Sequence, residues 1–228
     1  MLDVMDFVCT TLLKKNREKL DAIADRFGVQ GRVLPMVPGP LRIEADVTGL
    51  EDDPRLSRVI RGQVAVAVTP GHVRRVRLLP PHPEACTDAV EAILAADVVT
   101  LGPGSWFSSV IPHVLVPEQV DALRRTTARR VLILNLTPEP EETGGYSPER
   151  HLHVLAAHAD GLRFDDVLVD ARTVPPGAER EHLIRATALL GATPHFVDVG
   201  VPGTRQHDPE ALAAAIAKVA YSELSDRE

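Results

Sequence analysis

The spacing of hydrophobic positions changes twice along this chain. Over residues 1–27, Leu12, Leu13, Leu20, Ile23 and Phe27 recur at near-helical intervals, and Gly28 is placed to end the helix. From Arg32 to Leu79 the apolar residues gather into short runs rich in Val and Ile: "RVLPMV", "LRIEADV", "RVIRGQVAVAV" and "VRRVRLL". Pro and Gly separate them, so this stretch predicts a meander or small antiparallel sheet. "GLEDDPRLSR" is acidic and turn-rich and predicts an exposed loop.

Beyond Pro80-Pro81 the period alternates. "PEACTDAVEAILAA" predicts an amphipathic helix and "DVVTL" a short strand. "VPEQVDALRRTTA" reads as a helix with Pro near its start, and "RRVLILNL" as a buried strand. "SPERHLHVLAAHA" predicts a helix with Ser147 as its N-cap and Pro148 at its first position. "FDDVLVD", "REHLIRATALLG", "HFVDVGV" and "DPEALAAAIAKVAYSEL" continue the alternation. The expected fold is α/β: a Rossmann-like parallel sheet with helices on both faces, plus a small, mainly antiparallel β subdomain. Parallel strands are expected near 97–101, 131–135, 166–169 and 196–199. The chain reads as a single domain over 1–228, with residues 28–80 as the β-rich subdomain and 84–228 as the alternating core. Pro-rich "PMVPGPL" and "LLPPHPEAC" bracket the subdomain.

Composition narrows the function. The 228 residues are 44% hydrophobic and 25% charged, with a net charge of −7, so a broad basic footprint for nucleic acid is not expected. Cys9 and Cys86 lack metal-ligand spacing, which argues against a zinc site, and two cysteines suit a reducing compartment. Asp3 and Asp6 sit where a secretory signal would be basic, and no apolar run reaches the roughly 18 residues of a membrane span. A cytoplasmic protein without a membrane span is expected.

The candidate chemistry begins at "VVTLGPGSWFSSV". A strand ends at Leu101 and enters Gly102-Pro103-Gly104-Ser105. Gly102 and Gly104 can take backbone angles closed to other residues and let a ligand approach the main chain. Ser105 is placed to cap a following helix and, with Ser108 and Ser109, to offer hydroxyls to an anion at the positive end of that helix. The motif by itself reads equally as a tight turn with a serine cap. It is neither a P-loop nor the Gly-x-Gly-x-x-Gly dinucleotide signature.

A second strand leaves Asn135 for the polar loop "TPEPEETGGYSPER", which carries Thr143, Gly145 and Tyr146. If the strands are neighbours, Asn135 and Thr143 face the same crevice as the glycine turn. Glu139, Glu141 and Glu142 read as a solvated acidic loop, with a divalent cation beside phosphates as the alternative. His151 and His153 do not share a helix face, although His151 and His158 could, and no metal site is expected from them. Trp106 reads as packing over the turn, with stacking on a base or sugar as the alternative.

Taken together, "LGPGSWFSSVIPHVLVPEQVDAL", "VLILNLTPEPEETGGYSPERHLHVL", "GVQGRVLPM" and "RGQVAVAV" resemble the bacterial gluconeogenesis-factor family (YvcK-like). That family is related to the 2-phospho-L-lactate transferases of deazaflavin coenzyme biosynthesis (CofD-like). The resemblance spans about residues 28–228. The family's initial Gly-Gly-Gly-Thr-Gly turn and its acidic Asp-Asp-Gly-Gly-Ser-like stretch have no counterpart here, so half of the expected crevice is missing and the chain is expected to self-associate and to bind nucleotide weakly.

The resemblance implies a nucleotide-sugar (UDP-N-acetylglucosamine-like) binding regulatory protein needed for cell shape during gluconeogenic growth. The ligand-binding residues would be Gly102, Pro103, Gly104, Ser105, Ser108, Ser109, Asn135, Thr143, Gly145 and Tyr146. The alternative is a transferase using a nucleoside-diphospho donor and Mg2+. No cofactor is firmly implied, although Mg2+ could accompany a nucleotide ligand. Beyond a nucleotide sugar or nucleoside diphosphate, the reading leaves room for a protein partner or a homo-oligomer.

Overall fold

The structure, a computed structural model, describes residues 32–53, 55–137, 143 and 145–221. The expected helix over 1–27, Cys9 and the loop residues Glu139, Glu141 and Glu142 lie outside the described residues. The described chain falls into two compact units. One takes the residues up to Ala95, Gly104–Thr126, Thr143 and Gly145; the other takes Ala96–Pro103, residues 127–137 and Tyr146 onward.

In the first unit, β1 (Arg42–Thr48) lies between β2 (Ser57–Arg61) and β3 (His72–Leu79), antiparallel to both. The two-residue period of β1 divides its side chains cleanly. Ile43, Ala45 and Val47 are buried, and Val73, Val76 and Leu78 of β3 join them. The other face carries an ionic ladder. Arg61 donates to Glu44 at 2.7 Å, Arg77 donates to Glu44 at 2.8 Å, and Arg77 grips both oxygens of Asp46 at 2.6 and 2.8 Å. These arginines, Arg61 foremost and then Arg77, hold the Glu44 carboxyl below its usual range.

Two expectations are corrected in this unit. Residues 32–37 form no strand, and "RVIRGQVAVAV" is split by Gly62 (φ 95°) into β2 and a short helix α1 (Gln63–Ala67). The alternating valines suggested a strand. Of the helix residues, only Val66 is buried.

Helix α2 (Thr87–Ala95) packs against α3 (Pro117–Arg125). Between the strand ending at Leu101 and α3, the chain makes a π-helical turn over Trp106–Val110 that runs into a single turn at Ile111–His113. Trp106, Phe107 and Ile111 are fully buried there. Two buried side chains tie the unit together: Gln119 donates to the Met36 carbonyl at 3.1 Å, and Thr126 to that of Ile93 at 2.9 Å.

The second unit is the alternating core. Strands β4 (Val98–Leu101), β5 (Arg129–Ile133), β6 (Asp166–Asp170) and β7 (Thr193–Val197) lie in that order, all parallel. Strand register places Val131, Ile133 and Leu168 on one face. Helix α6 (Pro209–Tyr221) covers it with Leu212, Ala215 and Val219. Leu132, Val167 and Phe196 point to the opposite face, where Arg180 of α5 (Ala178–Leu189) stacks 4.0 Å from the centre of the Phe196 ring. Helix α4 (Pro148–His158) packs on α5. Helices therefore cover both faces, as the alternation required.

The amino edge of this sheet is pinned by charge. Asp166, fully buried, accepts from Arg129 at 2.6 Å and bonds His195 Nε2 at 2.7 Å. Beside it Arg130 grips Asp165 with its backbone amide at 2.7 Å and its guanidinium at 3.1 and 3.2 Å. Burial pushes the Asp165 carboxyl up, but Arg130 more than offsets it and the group titrates below its usual range. Both pairs join β5 to β6, so they fix strand order at the edge where the chain enters the sheet.

Candidate functional site

In an open parallel sheet, ligands bind outside the carboxyl ends of the strands, because the connecting loops gather there. In the second unit that edge is built from the ends of β4 to β7. β4 ends at Leu101, which pairs with Leu132 of β5. Gly102 then turns the chain with φ at 79°, an angle that favours glycine, and Pro103 follows. One strand over, Leu134 donates to the Leu168 carbonyl at 3.1 Å, and Asn135 leaves β5 at the same edge.

The last strands are clamped by Asp170 at the end of β6. Its carboxylate accepts the amides of Arg172 at 2.9 Å, Val199 at 3.0 Å and Gly200 at 2.8 Å. Burial works to raise this carboxyl, yet these amides and the Arg172 guanidinium hold it below its usual range. Arg172 also donates to the Gly200 carbonyl at 2.7 Å. His207 lies close by, and burial lowers its affinity for a proton.

Between the ends of β5 and β6 opens a cavity of about 100 Å3. Asn135 and Thr137 reach it from the end of β5, and Thr173 and Val174 from the end of β6. Tyr146, Pro148 and His151 enter from the start of α4, and Glu179 from the first turn of α5. Tyr146 and His151 are buried, whereas Thr173 and Glu179 are exposed at the mouth. The Arg150 guanidinium stacks 4.0 Å over the Tyr146 ring, and the His151 ring meets Tyr146 edge-on at 5.5 Å. Burial lowers the His151 pKa, so the ring is neutral at pH 7, although the Ser147 carbonyl partly offsets the shift.

Of the residues singled out from sequence, Asn135 and Tyr146 thus line one cavity. Gly102 and Pro103 leave the sheet at the same edge. Gly104, Ser105, Ser108, Ser109, Thr143 and Gly145 belong to the first unit. There the hydroxyls of Ser105 and Ser108 bond each other, and the Ser105 carbonyl accepts the amides of Ser109 and Val110 at 2.8 and 3.0 Å. Thr143 is fully buried, and Gly145 has φ at 75° with open space where a side chain would start.

Two local expectations are corrected. Ser105 makes no side-chain cap, and no long helix starts at it, because the regular helix α3 begins only at Pro117. Ser147 occupies the N-cap position of α4, but it is its carbonyl, not its hydroxyl, that serves the helix, accepting Arg150 N at 3.0 Å and facing His151 Nδ1 at 3.1 Å. Trp106 is fully buried, so its ring offers no exposed face to a base.

Sequence reasoning missed Thr173 and Glu179, and weighed His151 only as a metal ligand. A usable signal was present: "DARTVPPGAE" directly follows a predicted strand, so its polar residues belong at the carboxyl edge. No group of three or more His, Cys, Asp or Glu stands together among the described residues. None of their helices is long and apolar enough to cross a membrane.

The fold and the sequence are similar to those of known proteins. A crystal structure of a UPF0052-family protein from Bacillus halodurans superimposes with a TM-score of 0.69 at 25% identity, covering 86% of this chain and 65% of that one. A Mycobacterium leprae protein provisionally named a gluconeogenesis factor is 63% identical over 197 residues, which is 86% of this chain and 55% of the relative. Its Mycobacterium tuberculosis counterpart is 61% identical over 197 residues and is covered to 58%. The Listeria monocytogenes gluconeogenesis factor is 26% identical over 235 residues, covering 98% of this chain and 71% of that protein. The chain therefore spans little more than half the length of the mycobacterial relatives. The family model described as 2-phospho-L-lactate transferase CofD matches residues 8–212. With a match of that extent, the chain belongs to the 2-phospho-L-lactate transferase CofD family.

Proposed function

We propose that this chain binds a nucleotide sugar of the UDP-N-acetylglucosamine type at the carboxyl edge of its parallel sheet. It acts as a regulatory protein of the gluconeogenesis-factor kind, in the cytoplasm, and supports cell shape during growth on gluconeogenic carbon. The observation that carries this reading is the cavity between β5 and β6, where four separate chain segments bring hydrogen-bonding side chains to the edge at which such sheets bind ligands. Within the second unit, Gly102 and Pro103 at the end of β4 are the proposed phosphate contacts, and Asn135 and Tyr146 at the cavity are further proposed ligand contacts. Gly104, Ser105, Ser108, Ser109, Thr143 and Gly145, of the first unit, are proposed as ligand contacts on the sequence resemblance alone. Relatives named gluconeogenesis factors support the link to gluconeogenic growth.

A second reading, transfer of a phospholactyl-type group from a nucleoside-diphospho donor, has the family model in its favour. The described residues supply no cluster of metal ligands. Mg2+ would then be held largely by the ligand's own phosphates, as is common for this ion.

A thermal-shift series separates the two. A ligand that binds only the folded state at one hundred times its dissociation constant adds about 2.7 kcal/mol of stability. UDP-N-acetylglucosamine should raise the melting temperature without being consumed. A response confined to GDP with Mg2+, with product formed when a deazaflavin acceptor is added, would favour the transferase.

A further inference from the structure

We infer that the cavity between β5 and β6 is the seat of the sugar ring of the nucleotide sugar, taken through its hydroxyls, and not of the nucleotide's phosphates. This rests on the nucleotide-sugar reading above and assigns one part of that ligand to one part of the site.

Size makes the first argument. Whole-ligand sites commonly enclose roughly 300–1,000 Å3. At about 100 Å3 this cavity accepts a single ring-sized group of a larger ligand.

Charge makes the second. No Lys or Arg stands among the residues that line the cavity, and Glu179 places a carboxylate at its mouth. A phosphate entering here would meet a like charge, whereas the neighbouring guanidiniums are engaged elsewhere, Arg150 over the Tyr146 ring and Arg180 on the Val174 carbonyl.

Hydrogen-bond polarity makes the third. The Thr173 hydroxyl already donates its proton to the Asp170 carbonyl at 3.0 Å, so towards the cavity it can only accept. The Glu179 carboxylate only accepts. His151 Nδ1 faces a carbonyl, the Ser147 oxygen at 3.1 Å, which fixes the hydrogen on Nδ1 and leaves Nε2 of the neutral ring an acceptor. The Asn135 amide and the Thr137 and Tyr146 hydroxyls carry protons as well as lone pairs, so the lining both accepts and donates. Sugar hydroxyls match such a mixed lining, because each donates and accepts without adding charge. Tyr146 and Val174 supply apolar surface for the faces of such a ring.

The test is titration calorimetry of the full chain with UDP-N-acetylglucosamine, UDP and inorganic phosphate, for the wild type and for Glu179→Gln, Thr173→Val and Glu179→Lys. Both positions are exposed, and unchanged melting temperatures will show that the variants fold. Loss of one charge-assisted hydrogen bond should weaken UDP-N-acetylglucosamine by about tenfold or more in Glu179→Gln. Thr173→Val should weaken it to a lesser degree, and UDP affinity should stay within about twofold in both. Equal losses for UDP and the sugar nucleotide would overturn the assignment. So would wild-type affinity for the sugar nucleotide in both variants, or tighter UDP or phosphate binding in Glu179→Lys. If the wild type binds UDP but gains nothing from the sugar, the assignment fails while nucleotide binding stands. If it binds none of the three probes, the nucleotide-sugar reading itself fails, and the assignment with it.

Discussion

His151 Nδ1 lies 3.1 Å from the carbonyl oxygen of Ser147, one helical turn before it. This contact fixes the ring in the first turns of α4 and places the hydrogen of the neutral ring on Nδ1. It also ties the site to the stability of the fold. Burial lowers the pKa of His151 from the ordinary 6.5, and His113 and His207 are lowered by burial too. In the unfolded chain these rings take up protons near the ordinary value. The unfolded state therefore binds more protons than the folded one as pH falls through 6.5, and stability drops with it. The expected outcome is a melting temperature that is level above neutrality and declines on acidification through pH 6, before the carboxylates titrate. His151→Asn should make that decline shallower. A melting temperature flat from pH 7.5 to 5 would contradict it.

Asp166 should matter to stability and not to binding. It is fully buried and holds Arg129 and His195 at the amino edge of the sheet, the opposite end from the cavity. Removing one partner of a buried ion pair leaves the other uncompensated, at a cost of about 3–5 kcal/mol. Asp166→Ala should lose stability of that order in urea unfolding, while its folded fraction binds ligand with wild-type affinity.

Gly71 and Gly200 should resist even a methyl group, for reasons of space. A side chain at Gly71 would start 2.5 Å from Val47 Cγ1 and 2.7 Å from the Thr48 carbonyl oxygen. Since one of those neighbours is backbone, β1 and β3 would have to part. At Gly200 it would press on Asp170 Oδ2 and Leu136 Cδ1, both at 3.1 Å. Overpacking of this kind costs about 1–3 kcal/mol. Gly71→Ala should fall at the upper end of that range. Gly200→Ala should fall lower and should also loosen the Asp170 clamp, visible as faster amide exchange at Val199.

The parallel strands and the helices on both faces of their sheet were legible because residues 97–221 change hydrophobic period at each element. β7 was placed too late, near 196–199, whereas it runs from Thr193 and takes in Pro194. β7 is an edge strand, however, where a missing amide is tolerated. The helix at Gln63–Ala67 was hidden by the valines at 64, 66 and 68, whose two-residue spacing imitates a strand. Asn135 and Tyr146 were found because they flank a long loop at a strand end. Thr173 and Glu179 were not, because they join the cavity from a segment some thirty residues further on, and only strand order reveals that such segments meet. Ser105 looked like a helix cap. Local spacing could not reveal that the chain would make a π-helical turn there instead.

The central claim is nucleotide-sugar binding at the carboxyl edge, and direct calorimetric titration of the full chain with UDP-N-acetylglucosamine tests it. Saturable binding at one site per chain is expected. Asn135→Ala, which removes a hydrogen-bonding side chain from the cavity between β5 and β6, should lower the affinity by about tenfold while the variant stays folded. Absence of saturable binding, or the same affinity in the folded Asn135→Ala protein, would contradict nucleotide-sugar binding at this edge.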